Sequence, residues 1–322
     1  MWAMPRILLV KTSSLGDVIH NLPVVNDILQ HTPQAQIDWL VEDSFADIPR
    51  LHLNVNQVFT VAMRRWKKHI FSQKTWQEIA AFKKFIKQNQ YDAIIDTQGL
   101  LKSALMTKQA NGMKHGYDKQ SIREPLASYF YDKTYNISYN QHAVTRNRTL
   151  VAMSLGHTVP NNAPDYAISA PNCELTLSEK YVVALHGTSR DSKLWPIENW
   201  VALGKQLALQ NLNMALPWAS DAEHVRATII SQQVTDSIVM PKLSINELAG
   251  VIANAKAAVG VDTGLSHLAA ALNIPTIAVY TDTNPALTGV MAGNVVPAIN
   301  LGNIGQSPSV TDVLGALNNI LY

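Results

Sequence analysis

A single carboxylate, Asp17, stands where an apolar run, Arg6-Ile7-Leu8-Leu9-Val10, gives way through the turn Lys11-Thr12-Ser13-Ser14-Leu15-Gly16 to a helical pattern. Open α/β sheets bind ligands outside the carboxyl ends of their strands, so this spacing delivers an acid to a place where chemistry occurs. The turn has one glycine, Gly16, and lacks the G-x-G-x-x-G that cradles a dinucleotide pyrophosphate. What remains is a carboxylate facing a ligand crevice.

Two turns in the second half have the opposite character. In Val259-Gly260-Val261-Asp262-Thr263-Gly264-Leu265-Ser266-His267 a buried strand leads within a few residues into a helix. Asp262, Thr263 and Gly264 suit its cap, and the free N–H groups of its first turn make an anion site. Ser266 adds a hydroxyl, and His267 sits on the first turn. The plainer reading is a cap that only starts the helix. In His186-Gly187-Thr188-Ser189-Arg190-Asp191-Ser192-Lys193, two hydroxyls (Thr188, Ser189) and a cation (Lys193) lie within six residues. That set suits a diphosphate, with a solvated loop as the alternative. Two such turns favour a nucleotide diphosphate over a lone phosphate. Glu223, opening the helix after Leu216-Pro217-Trp218, is placed to accept from ribose hydroxyls, or is an ordinary acidic first-turn residue.

A third feature is basic. From Arg64 to Lys87 eight cations stand against one acid, Glu78, with Trp66, Ile70, Phe71 and Trp76 interleaved. Such a run fits nucleic acid, an anionic membrane surface or a phosphorylated lipid headgroup. The pI of about 8.5 is modest and no recognition module is present, which disfavours nucleic acid. Up to residue 170 there are 19 Lys and Arg against 13 Asp and Glu, and beyond it 7 against 11. Opposite balances on the two halves suggest different ligands, with the anionic one meeting the first half, or mere drift in surface composition.

The elements that must position these residues alternate throughout, as parallel βαβ units do. Strands are expected at 6–11, 36–41, 58–61 and 93–96, with helices near 17–30, 75–88, 100–111 and 143–155. From 156 to 180 the pattern lapses around Pro160, Pro164 and Pro171, which reads as a linker. Strands return at 181–186, 213–216, 237–240, 257–261 and 276–280, and a last helix at about 310–321 packs on either domain. The 322 residues exceed what one core sustains. The expected architecture is thus an α/β protein of two doubly wound domains, 1–165 and 175–322, whose strand ends face across a cleft.

The single cysteine, Cys173, excludes an internal disulfide and a cysteine metal site, and no Asp-x-Asp, H-E-x-x-H, G-x-S-x-G or P-loop occurs. No apolar window is long enough to span a bilayer, and the start lacks the parts of a signal peptide, so a cytoplasmic location is expected.

Lys11-Thr12-Ser13-Ser14-Leu15-Gly16-Asp17, Asp96-Thr97-Gln98-Gly99-Leu100-Leu101-Lys102-Ser103, Arg123-Glu124-Pro125-Leu126-Ala127-Ser128, Val261-Asp262-Thr263-Gly264-Leu265-Ser266-His267 and the Arg64-Arg65-Trp66-Lys67-Lys68 run occur in one chain. Together they resemble glycosyltransferase family 9, the bacterial lipopolysaccharide heptosyltransferases, from about Arg6 to Tyr280. The family commonly continues Tyr-Gly-Pro-Thr-Asp-Pro, where this chain has Tyr280-Thr281-Asp282-Thr283-Asn284-Pro285.

The resemblance implies a GT-B fold of two Rossmann-like domains, acceptor on the first and sugar nucleotide on the second. It implies inverting, metal-independent transfer of L-glycero-D-manno-heptose from ADP-heptose to Kdo of Kdo2-lipid A, without a cofactor. The partners it implies are ADP-heptose, Kdo2-lipid A and, peripherally, the cytoplasmic face of the inner membrane, with no nucleic acid. It makes Asp17 the catalytic carboxylate, and Thr188, Ser189, Lys193, Glu223, Leu243, Asp262, Thr263, Gly264 and His267 the donor-binding positions. At Leu243 a relative has methionine, a change that a backbone contact to adenine would survive. Arg64, Arg65, Lys68 and Arg123 correspond to the acceptor side.

Addition of a later core heptose is the alternative transfer. A Rossmann redox enzyme or epimerase is disfavoured by the missing glycine fingerprint and the missing Tyr-x-x-x-Lys. A non-catalytic lipopolysaccharide-binding module would need neither anion-ready turn.

Overall fold

The computed structural model describes residues 4–321 except 174, 176, 178 and 179. The chain divides into two compact units between Asn162 and Ala163, inside the proline-interrupted stretch. The first unit contains strands β1 (Arg6–Val10), β2 (Gln36–Glu42), β3 (Val55–Val61), β4 (Gln90–Asp96), β5 (Asn111–Tyr117) and β6 (Lys133–Tyr135). Its helices are α1 (Leu15–Ile19), α2 (Pro23–His31), α3 (Asp47–Arg50), α4 (Met63–Lys68), α5 (Gln73–Lys87), α6 (Leu101–Thr107) and α7 (Ala143–Leu155). The second contains β7 (Tyr181–Leu185), β8 (Asn213–Leu216), β9 (Ser237–Val239), β10 (Ala257–Val261), β11 (Thr276–Tyr280) and β12 (Ala298–Gly302). Its helices are α8 (Ile197–Leu209), α9 (Asp221–Ser231), α10 (Ile245–Ala253), α11 (Gly264–Ala271), α12 (Pro285–Thr288) and α13 (Val310–Leu321).

Each unit builds a six-stranded parallel sheet, in the orders β3-β2-β1-β4-β5-β6 and β12-β11-β10-β7-β8-β9. Both are the doubly wound order, in which the chain reverses direction across the sheet beside its first strand. The central strands are nearly unbroken apolar runs, as strands covered by helices on both faces must be. Leu8, Val10, Leu40, Phe59, Val61, Trp66, Phe82, Ile86 and Ile94 form one core cluster. Val182, Trp195, Trp200, Leu203, Leu207, Met214, Leu216, Val259, Val261, Ile277 and Val279 form another, and Val313 and Leu317 of α13 are fully buried in it. The last helix therefore belongs to the second unit.

Local chemistry explains where the structure departs from the expected elements. The helix expected over 17–30 breaks at 20–22, because Pro23 lacks an N–H and starts a new helix at its first position. The helix expected over 100–111 ends at Thr107, and Asn111–Tyr117 forms β5 instead. Two glycines, a lysine and a histidine in that segment conceal the strand from its apolar pattern. The edge strands β6 and β12 are short or half-exposed and have no strong period either. Trp66, grouped in the sequence with the exposed aromatics, is 9% exposed and packs in the first core.

Candidate functional site

In the first unit Val10 of β1 pairs with Asp96 of β4, so the segments that follow these strands start side by side at the point where strand order reverses. Asp17 is half-buried at the third position of α1. Its Oδ2 accepts from the Ser14 backbone N–H at 2.9 Å and from the Ser14 hydroxyl at 3.0 Å. The loop ahead of it is pinned from β4. Gln98 Oε1 accepts from the N–H groups of Thr12 and Ser13, both at 3.0 Å. Asp96 in turn accepts from Gln98 N–H at 2.9 Å, Gly99 N–H at 3.2 Å and the Tyr131 hydroxyl at 2.8 Å. Burial pushes the Asp96 pKa up, and those hydrogen bonds pull against the shift. Lys102 Nζ donates to Ser13 Oγ at 2.7 Å.

Two lysines therefore share this turn with Asp17. Burial lowers the pKa of Lys11, with Asp17 and Asp96 opposing and Arg146 and Arg123 adding to it. Burial also lowers that of Lys102, where Arg64 adds to the shift and Glu42, Glu124 and Asp17 resist it. These mutual effects place Arg64 and Arg123 in the electrostatic neighbourhood of the turn. Arg64 is exposed, with its guanidinium carbon 5.3 Å from the centre of the Phe45 ring. Lys68 and Arg123 are exposed and form no ion pair among the described residues. Arg65 differs. It binds Glu78 through Nη1 at 2.8 and 3.0 Å and lies 3.6 Å from Asp43. The Trp66 indole donates to the same Glu78 at 2.7 Å.

Gln98 and Lys102 carry no role in the sequence reading. Their signal was present in it, since the Asp96–Ser103 run follows a strand as the Lys11–Asp17 run does.

In the second unit Gly260 of β10 pairs with Leu185 of β7, so the two anion-ready turns also begin as neighbours at the strand-order reversal. Lys193, on the 3-10 turn Asp191–Lys193, places Nζ 2.6 Å from Asp262 Oδ2, and both side chains are largely covered. Thr188 Oγ1 donates to the Asp262 carbonyl at 2.9 Å. Thr263 caps α11, Gly264 opens it, and Ser266 Oγ donates to the Val261 carbonyl at 2.7 Å. A side chain at Gly260 would collide with that hydroxyl. His267 is buried on the first turn, and Ser189 is exposed.

Glu223 belongs to the same locality. It joins a capping box, with Oε2 accepting from Ala219 N–H at 2.7 Å and Ser220 N–H at 3.2 Å. Its Oε1 lies 2.5 Å from where a Gly187 Cβ would be, so any side chain at 187 would push this carboxylate aside. Leu243 is half-buried in the segment between β9 and α10. In the same segment, Met240 accepts at its carbonyl from the Trp218 indole at 2.6 Å. The strand ends of β7, β8 and β10 thus gather a cation, a helix N-terminus, a carboxylate and an apolar wall, which suits a nucleoside diphosphate.

Among the described residues no group of three or more His, Cys, Asp or Glu gathers as metal ligands would, and no helix is long and apolar enough to cross a membrane.

Known proteins resemble this chain over nearly its whole length. Residues 79–313 match the model of glycosyltransferase family 9 (heptosyltransferase). The chain is 45% identical over 320 residues to lipopolysaccharide heptosyltransferase 1 of Salmonella typhimurium, covering 97% of this chain and 100% of that protein. The Pseudomonas aeruginosa protein of the same name is 43% identical, over 88% of this chain and 81% of its own length. Among solved structures, E. coli heptosyltransferase WaaC with ADP superposes with a TM-score of 0.90 at 42% identity, covering 98% of this chain and 99% of that one. E. coli ADP-heptose lps heptosyltransferase II, at 20% identity over 98% of both chains, gives 0.78 and shares the fold. The fold is of the GT-B type.

Proposed function

The chain belongs to glycosyltransferase family 9, and on that premise we propose that it transfers L-glycero-D-manno-heptose from ADP-heptose to a Kdo residue of Kdo2-lipid A. The observation that carries the proposal is the pairing of chemistries. One unit sets a carboxylate, Asp17, at its strand-order reversal, and the other sets Lys193 and the N-terminus of α11 at its own.

In this reading the donor diphosphate lies against the first turn of α11, within reach of Lys193 and of the hydroxyls of Thr188, Ser189 and Thr263. Asp262 holds Lys193 in place before the donor arrives. Gly264 lets the phosphates approach the backbone closely, and His267 lines the same turn. Glu223 accepts from the ribose, and the backbone near Leu243 meets adenine. Asp17 takes the proton from the attacking Kdo hydroxyl as its oxygen bonds to C1 of the heptose. The C1–O bond to ADP breaks on the opposite face, which inverts C1, and the departing phosphate gains charge. Lys193 and the α11 amides stabilise that charge.

On the acceptor side Arg64, Lys68 and Arg123 meet phosphate and carboxylate groups. Arg65 is committed to Glu78 and Asp43, so in this reading it braces α4 against α5 and Asp43. The lipid acceptor also calls for a membrane surface, and the turn between α4 and α5 fits one. Phe71 is 100% exposed, Trp76 55% and Ile70 49%, beside Lys67, Lys68 and Lys74. We place this turn on the cytoplasmic face of the inner membrane as a peripheral contact.

The test is incubation with ADP-heptose and Kdo2-lipid A. A product heavier by one heptose and an equal yield of ADP are expected. Extension only of an acceptor already carrying heptose would favour the later core transfer, and no ADP release with either would overturn the assignment.

A further inference from the structure

The turn that carries Lys193 is gripped by the loop after β11. Ser192, its neighbour, donates its hydroxyl to Asp282 Oδ2 at 2.6 Å and accepts at its carbonyl from Thr281 Oγ1 at 2.7 Å. Both the side chain and the backbone of one residue are therefore held. The loop is itself anchored, because Gly305 N–H donates to the Thr281 carbonyl at 2.9 Å. Strand β10 lies between β7 and β11 in the sheet, so these bonds bridge two strand spacings past the end of β10. That end carries Asp262, the ion partner of Lys193. Thr281 and Asp282 occupy the positions where the chain departs from the Gly-Pro of the family pattern, and neither Gly nor Pro has a side chain able to make these bonds.

We infer that Thr281 and Asp282 are positioning residues for Lys193, holding its turn in a diphosphate-ready form. The inference rests on the donor-site reading above. A free 3-10 turn samples many backbone states, and a ligand that needs one of them is penalised for ordering it. The clamp removes that penalty beforehand, so it tightens ADP and ADP-heptose without touching either.

The sign of the effect separates this role from direct electrostatics. Asp282 is an acid near a site for an anion. Acting by charge alone it would repel ADP, and its removal would tighten binding. Acting as a clamp, its removal weakens binding.

The experiment is calorimetric titration of ADP into the full-length protein, with thermal midpoints measured alongside. Asp282→Ala is expected to weaken ADP by about two- to tenfold, the worth of one net hydrogen bond. Ser192→Ala should cost the same, and the double variant no more than either single change, because both remove one bond. Asp282→Asn keeps an acceptor for the Ser192 hydroxyl and is expected to bind at least as tightly as wild type. Thr281→Val tests the second bond independently and should raise the ADP-heptose KM while leaving the acceptor KM unchanged. Tighter or unchanged binding by Asp282→Ala, or additive losses in the double variant, would overturn the inference. Failure of the wild type to bind ADP would instead remove the donor site on which it rests.

Discussion

Replacing Asp17 by asparagine separates its chemical role from its structural one. The structural role is explicit, because Oδ2 receives both the Ser14 N–H and the Ser14 hydroxyl at the start of α1. An asparagine oxygen can receive the same bonds. The structural cost is then the lost charge at a helix N-terminus, about 0.3–1 kcal/mol. That is small against a typical stability of about 5–15 kcal/mol. In the proposed mechanism the chemical cost is larger, because an amide cannot take a proton from the attacking hydroxyl. General-base assistance contributes roughly 10²–10⁴-fold, or about 3–5 kcal/mol of barrier. Asp17→Asn should therefore fold normally, bind ADP as the wild type does, and lose at least about two decades of kcat. The assay is single-turnover heptosylation of a water-soluble, deacylated Kdo2-lipid A followed by mass spectrometry, with ADP affinity measured in parallel. Asp17→Ala should lose the same activity and also the reciprocal half of the capping box that Asp17 makes with Ser14, and so be less stable than Asp17→Asn. Turnover near wild type in Asp17→Asn, with loss only in Asp17→Ala, would show that the carboxylate serves the helix and not the reaction.

Lys193→Ala should raise the donor KM and lower kcat, and it should also destabilise the second unit, because Asp262 is left covered and unpaired. Asp262→Ala added to it should recover stability but not turnover; an unchanged donor KM and kcat in Lys193→Ala would refute the assignment. Phe71→Ser removes an exposed ring and should weaken flotation with phosphatidylglycerol-containing vesicles by about tenfold or more, given about 1.5–3 kcal/mol for a buried phenyl side chain. Its turnover on the water-soluble acceptor should not change, and vesicle binding equal to wild type would remove this turn from the membrane contact. His186 is fully buried beside Trp200, and burial, with Arg226 adding, pushes its pKa down to about 4. The unfolded chain takes that proton first, so stability is full above pH about 6.5 and falls by roughly 3 kcal/mol as pH drops through this window to about 4. Denaturant titrations of wild type and His186→Gln at pH 7 and 4.5 should show a shallower acid loss in the variant, and equal losses would refute the cause.

Most of the central architecture was legible because parallel strands covered on both faces need unbroken apolar runs, and Ile7–Val10, Val182–Leu185 and Ala257–Val261 are such runs. What escaped was at the sheet margins. Asn111–Tyr117 forms β5 although its glycines, Lys114 and His115 give no strand period, because its neighbour β4 fixes its register. In the candidate site, the residue types of the donor turns advertised anion chemistry, since hydroxyls, a cation and a helix start were adjacent in sequence. Gln98 could not be found in that way. Its role depends on parallel pairing of β1 and β4, which brings a side chain to backbone donors 85 and 86 residues away.

The basic run shows that charge counting alone does not separate paired cations from unpaired ones. Eight cations against one acid suggest one undivided surface for an anionic ligand. The fold spends the acid first: Arg65 and the Trp66 indole both bond to Glu78, and these bonds hold its carboxyl below the usual range. Asp43 falls to the same guanidinium. One arginine thereby pairs with both acids and pins α4 beside α5, where Trp66 fills the core. The surplus is left on Arg64, Lys67, Lys68, Lys74, Lys83, Lys84 and Lys87, and the first four of these lie nearest in sequence to the exposed rings of Phe71 and Trp76. In the proposed function, neighbours in sequence therefore divide between bracing and binding according to which of them an internal acid can reach. Reversing Arg64 should accordingly change acceptor use with little effect on folding, whereas reversing Arg65 should first disturb the packing of α4.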